Sequence, residues 1–95
     1  MLIEFSELLT RREKERVVRN KMKYVQAFVT SFSVNESSVE GLEYNSIPAW
    51  DSLGHMGLIA ELEEAFSIQM EMDDIIDFSS FKKGFEILSK YGVKF

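Results

Sequence analysis

Asp51-Ser52 places a carboxylate and a hydroxyl side by side, just ahead of a run with helical spacing. A serine turns into a hydrolytic nucleophile only with a base in hydrogen-bond reach and a group to orient that base. The chain has one histidine, His55, three residues on and without an evident orienting partner, and Gly-x-Ser-x-Gly is absent. At about 100° per residue, His55 leans toward the core or a neighbouring loop, which suits packing or hydrogen bonding better than catalysis. Ser and Asp are also preferred helix N-caps, so either residue has a purely structural use at this position. The absence of cysteine excludes a disulfide framework, a thiolate zinc site and a cysteine nucleophile. A single histidine excludes a multi-histidine metal site.

The charges are segregated. Between Asp51 and Asp77 there is no Lys or Arg, while Asp51, Glu61, Glu63, Glu64, Glu71, Asp73, Asp74 and Asp77 all fall in that stretch. The plainest account is a solvated acidic face. A calcium site is a weaker one, because no D-x-[DN]-x-[DN]-G run with a Glu at the twelfth position brings ligands together. The front carries Arg11, Arg12, Lys14, Arg16, Arg19, Lys21 and Lys23, interrupted by Glu13 and Glu15 and without an aromatic platform. With a net charge of −5 and a pI near 4.8, this does not describe a nucleic-acid binder.

These residues have to be positioned by a chain of 95 residues that is 45% hydrophobic and 28% charged, enough for one small domain with one core. Thr10-Arg11-Arg12-Glu13 fits the S/T-x-x-E capping box. Beyond it, Val18, Met22, Val25, Phe28, Val29 and Phe32 recur every three or four residues and predict a helix over about 11–32 with that stripe inward. Residues 33–50 lose the period. They read as a long loop pinned to the core by Val39, Leu42, Tyr44, Ile47 and Trp50. A second helix is expected over about 52–66 and a short third over 72–78. A last helix follows over about 80–91, with Phe81, Phe85 and Leu88 inward and Gly92 ending it. The expected fold is all-α, a small four-helix bundle of three main helices and one short one. Residues 1–12 form an N-terminal extension to a domain over 13–95. In it Leu2, Ile3, Phe5, Leu8 and Leu9 either lengthen the first helix or pack as an extra turn, with a partner-specific arm as the alternative. No segment approaches the ~20 apolar residues of a membrane span. The front has acid where a signal peptide has base, so the expected location is intracellular, in the cytoplasm.

The second helix has two apolar sides. Leu58, Ile59, Leu62, Ala65 and Phe66 form an ordinary core stripe. Leu53, Met56 and Ala60 fall roughly opposite, flanked by Glu63 and Glu64. This second strip is expected either to lie under another element or to dock partners, its apolar residues giving affinity and its acids orientation. Gly54 and Gly57 are costly in a helix. They either allow a loop to pack closely or keep the ground low around Ser52.

Trp50-Asp51-Ser52-Leu53-Gly54-His55-Met56, continued by Leu58-Ile59-Ala60-Glu61-Leu62-Glu63-Glu64-Ala65-Phe66, resembles the acyl carrier protein family. In that family Asp-Ser-Leu opens the second helix and Leu-Glu-Glu-x-Phe closes it. The resemblance spans roughly residues 17–92. It implies an acyl-carrier-like bundle with 4′-phosphopantetheine joined to Ser52 by a phosphodiester, and with Asp51 and Leu53 beside it. A phosphopantetheinyl transferase would install the arm and a ligase would load an acyl or aminoacyl group on it. Synthases or transferases would then meet Leu53, Met56, Ala60, Glu63, Glu64, Asp73, Asp74 and Ile75. The chain itself would be no enzyme, and would act as a monomer. A helix N-terminus suits the phosphate anion. Ala49-Trp50 in place of the usual small pair, and Gly54 and Gly57 in place of acids, resemble specialised carriers such as D-alanyl or secondary-metabolite carriers rather than the housekeeping one. Phe28, Phe32, Phe66, Phe81 and Phe85 suggest a crowded interior and a short or polar cargo. The alternative is a helical interaction module that never takes the arm and uses the acidic face alone.

Overall fold

A computed structural model describes residues 10–95, and the expectations for Leu2, Ile3, Phe5, Leu8 and Leu9 lie outside them. Each main helix starts where a short polar side chain replaces a missing backbone partner. α1 (Arg11–Phe32) begins with the reciprocal box expected from sequence: Thr10 Oγ1 accepts from the Glu13 amide and Glu13 Oε1 accepts from the Thr10 amide. Hydrogen bonding from Thr10, its side chain first and its amide second, holds the Glu13 carboxyl below its ordinary value. Since α1 starts at Arg11, the boundary expected at residue 12 falls inside the helix. α2 (Ser52–Phe66) is capped by Asp51 and α4 (Phe81–Ser89) by Ser80, whose Oγ accepts from the Lys83 amide. α3 (Met72–Asp77) has no side-chain cap. α1 and α2 end on left-handed serines, Ser33 and Ser67, and the turn after α4 closes through Gly92 at φ +87°. Among the described residues there is no strand, only a single bridge between Glu43 and Ser80. The four helices form a small all-helical bundle. No described helix is long and apolar enough to cross a membrane.

The core is aromatic. Tyr24 and Phe28 of α1 meet Phe81 of α4 with ring centres 4.8 and 5.0 Å apart, and Phe32 stacks on Trp50 at 5.2 Å. The buried Tyr24 hydroxyl donates to the Phe81 carbonyl at 2.7 Å, which satisfies it, and burial pushes its pKa up. A Cβ on Gly84 would come within 1.9 Å of the Tyr24 hydroxyl oxygen, so this close crossing of α1 and α4 requires a glycine. Of the five phenylalanines expected to crowd the interior, Phe28, Phe32 and Phe81 are buried and Phe66 and Phe85 half-buried.

The buried face of α1 differs from the expected stripe. Tyr24, Ala27, Phe28 and Phe32 are buried, whereas Val18 and Met22 are 58% and 63% exposed. No residue of 11–23 is buried. Among the described residues, the side-chain hydrogen bonds from α1 to the end of α2 and the C-terminal segment come from Asn20 and Lys23, which donate to the Lys94 and Ala65 carbonyls. Periodicity marks a face but not how far along a helix its neighbours extend. In the loop, a 3₁₀ turn (Glu36–Ser38) precedes Val39, and Val39, Leu42 and Trp50 are buried as expected. Ile47 is half-buried and Tyr44 is exposed, so Tyr44 is not the core anchor expected of it.

Candidate functional site

Ser52 is the first residue of α2 and is exposed. Asp51 precedes it with an extended backbone, its Oδ1 accepting from the Gly54 amide at 2.8 Å. This capping role orients Asp51 and leaves the Ser52 hydroxyl at the helix tip, where the positive end of the dipole lies. Gly54 permits the geometry, because a Cβ there would come within 1.9 Å of the Ala49 carbonyl oxygen. A Cβ on Gly57 would meet nothing within 4 Å. Of the two expectations for the glycines, close loop packing describes Gly54 and open ground describes Gly57.

Ser52 stands on the rim of a cleft of about 440 Å³ between α2, α3 and the loop. Tyr44, Met56, Met72, Ile75, Ile76 and Phe78 supply its apolar walls and His55 part of its base. Leu53 is 82% exposed, and Met56, Met72 and Ile76 are exposed as well. Together they form an exposed apolar collar near Ser52, with Met56, Met72 and Ile76 at the cleft and Leu53 next to Ser52 on α2, outside the cleft lining. The phenylalanines fill the bundle interior, and this open volume lies beside α3 instead.

His55 is 9% exposed and both its ring nitrogens are engaged, one by the Trp50 indole and the other by the Ile75 carbonyl. It is a packing and hydrogen-bonding residue, as the helical angles suggested, and offers Ser52 no free base. Leu58, Ile59 and Leu62 are buried, and Ala65 and Phe66 half-buried. On the opposite strip Leu53, Met56, Ala60 and Glu64 are exposed, so no other described element covers it. Glu63 is half-buried and its Oε2 accepts from the Met70 amide at 2.9 Å, so this carboxylate fastens the α2–α3 connection.

The short helix divides the remaining candidates. Asp73 is exposed and Ile75 half-buried. Asp74 is 7% exposed and accepts from Lys90 Nζ and the Tyr91 hydroxyl, so it holds α3 to α4 and leaves the set of docking acids. Those hydrogen bonds, Lys90 first, hold the Asp74 carboxyl below its ordinary value and raise both partners. Among the described residues, no group of three or more His, Asp or Glu side chains is placed to hold a metal ion.

Met72, Ile76 and Tyr44 are the site residues that sequence reasoning missed. Met72 and Ile76 are spaced four apart, which puts them on one face of α3, but a helix of six residues is too short for periodicity to stand out. Tyr44 sits in a loop, where no period exists. Against known proteins, the chain matches no family model, no curated protein and no solved structure.

Proposed function

We propose that this chain is a specialised acyl or aminoacyl carrier protein, with Ser52 as the attachment point for 4′-phosphopantetheine. The observation that carries the reading is the exposed Ser52 hydroxyl at the tip of α2, on the rim of an open apolar cleft. The residues present fit the group. The hydroxyl is accessible, a helix N-terminus favours a phosphodiester anion, and the flexible arm has an uncovered apolar surface beside it. When bound, the arm supplies a terminal thiol that holds cargo as a thioester, in a chain that has no cysteine of its own.

The chain's own residues would then present and be recognised. Asp51 fixes the start of α2 and is read by the phosphopantetheinyl transferase. Leu53, Met56 and Ala60 give partner enzymes an apolar footing, and Glu64 and Asp73 give them charge. Exposed ion pairs are worth only ~0–1 kcal/mol each and are screened by salt, which suits contacts that must break every cycle. The partners would be a loading ligase and the synthases or transferases that take the cargo, in the cytoplasm, with the carrier acting as a monomer and not as an enzyme. A short or polar cargo is the expectation, since the apolar cleft beside Ser52 is open to solvent.

The test is co-expression with a broad-specificity phosphopantetheinyl transferase followed by intact mass. The expected result is a gain of one arm in the native chain and no gain in Ser52→Ala, with the thermal midpoint unchanged. A native chain that stays bare under conditions that modify a control carrier refutes the reading. That outcome would favour the second reading, a helical interaction module using the same exposed strip on α2.

A further inference from the structure

We propose that His55 is a positioning residue whose neutral imidazole clamps α3 beside Ser52, tying it at once to α2 and to the loop. Two hydrogen bonds pass through one ring. Trp50 Nε1 donates to His55 Nδ1 at 2.9 Å, and His55 Nε2 lies 2.7 Å from the Ile75 carbonyl oxygen. An indole N–H only donates and a carbonyl only accepts. Both bonds therefore require the neutral imidazole with its proton on Nε2. One ring so joins the loop, through the fully buried Trp50, to α2 and to α3.

A second proton could go only to Nδ1, where it would face the indole N–H. That leaves a buried donor without an acceptor and a buried cation among aromatic rings. The ring is nearly parallel to Trp50, while Tyr44 and Phe78 are inclined to it at 84° and 63°, with centres 5.5 and 6.3 Å away. The charged groups nearby do not compensate. On α2, Asp51 is held by the Gly54 amide, and on α3, Asp73 and Asp77 are exposed while Asp74 is turned to Lys90 and Tyr91. The loop and the α3–α4 junction present Tyr44, Trp50 and Phe78. Among the described residues no carboxylate forms an ion pair with the imidazole. Asp74 gives α3 a separate tie to α4. The consequence for cargo on Ser52, a cleft wall held in place beside it by His55, rests on the carrier reading. The clamp itself does not.

The experiment uses the full chain without any arm. His55→Asn keeps an acceptor near Nδ1 for Trp50 and loses the reach to Ile75, whereas His55→Gln keeps a donor for Ile75 and loses the acceptor. Amide hydrogen exchange over Ile75–Asp77 is expected to rise about tenfold in His55→Asn, the equivalent of one hydrogen bond, and to stay near native in His55→Gln. Emission from Trp50, the single tryptophan, is expected to change in His55→Gln, which removes the acceptor of the indole N–H, and to stay near native in His55→Asn. Native-like α3 protection in His55→Asn overturns the proposal, as does a Trp50 emission in His55→Gln identical to the native chain's, and each variant is read independently should the other not fold. Arm attachment is scored separately by mass, so a bare Ser52 with an intact clamp refutes the carrier reading alone.

Discussion

The aromatic end of the bundle and the mouth around Ser52 use similar side chains in opposite ways. Around Tyr24, six-membered rings close on one another and the single polar atom among them has its acceptor. Around Ser52, Leu53, Met56, Met72 and Ile76 stay in water. The first region is held by burial. In the second, α3 is six residues long and is fixed in large part by polar ties: His55 to Ile75, Asp74 to Lys90 and Tyr91, and Glu63 to the Met70 amide just before it. Rigid cores set global stability, while elements that hang on a few hydrogen bonds open first. The difference puts the exposed hydroxyl on a firm helix and beside a wall that can move.

Substitutions can break this contrast at either end. Phe28→Ala should have the largest effect on stability, about 3–5 kcal/mol for loss of a fully buried ring, seen as a large fall in the urea midpoint. That is a substantial share of the ~5–15 kcal/mol that holds a small domain together. Gly84→Ala should cost about 1–3 kcal/mol by overpacking, because the new methyl would strike the Tyr24 hydroxyl and its bond to Phe81. A cost near zero there would show the α1–α4 crossing to be looser than the rings suggest.

The effects at the mouth are smaller and differ in kind. The Asp74 carboxyl is depressed in the folded chain, so its stabilisation is present at pH above the ordinary carboxylate value and is lost as pH falls through the depressed one. Thermal melts of Asp74→Asn should therefore fall below the native chain at neutral pH, and the gap should close in strong acid. An equal gap at every pH would mean that Asp74 acts through packing rather than charge. Leu53→Ala and Met56→Ala should change stability by no more than about 0.5 kcal/mol, since both side chains are exposed. A large loss in either would show that the collar supports the fold and is not a free docking surface.

The helices and their starts were legible because the signals are local. Thr10 with Glu13, Asp51 with Gly54 and Ser80 with Lys83 each act within one turn, and the expected ranges of α1 and α2 agree with the structure. Val18 and Met22 were misplaced because a three-four spacing does not say where the opposing helix stops. Asp74 and Asp73 are adjacent acids with the same apparent role, and only the approach of Lys90 and Tyr91 separates them. Tyr44 reached the cleft through contacts that leave no period in the chain.

Sequence alone determined the caps, the aromatic supply for one core and the position of Ser52 at the tip of α2, because each depends on neighbours within a turn or on composition. Tertiary structure decided which half of α1 is covered, that α3 stands away from α2 far enough to leave a cleft, and that Trp50, His55 and Ile75 share one imidazole. Those outcomes depend on which residues meet across the bundle, and distance through space is not written in distance along the chain.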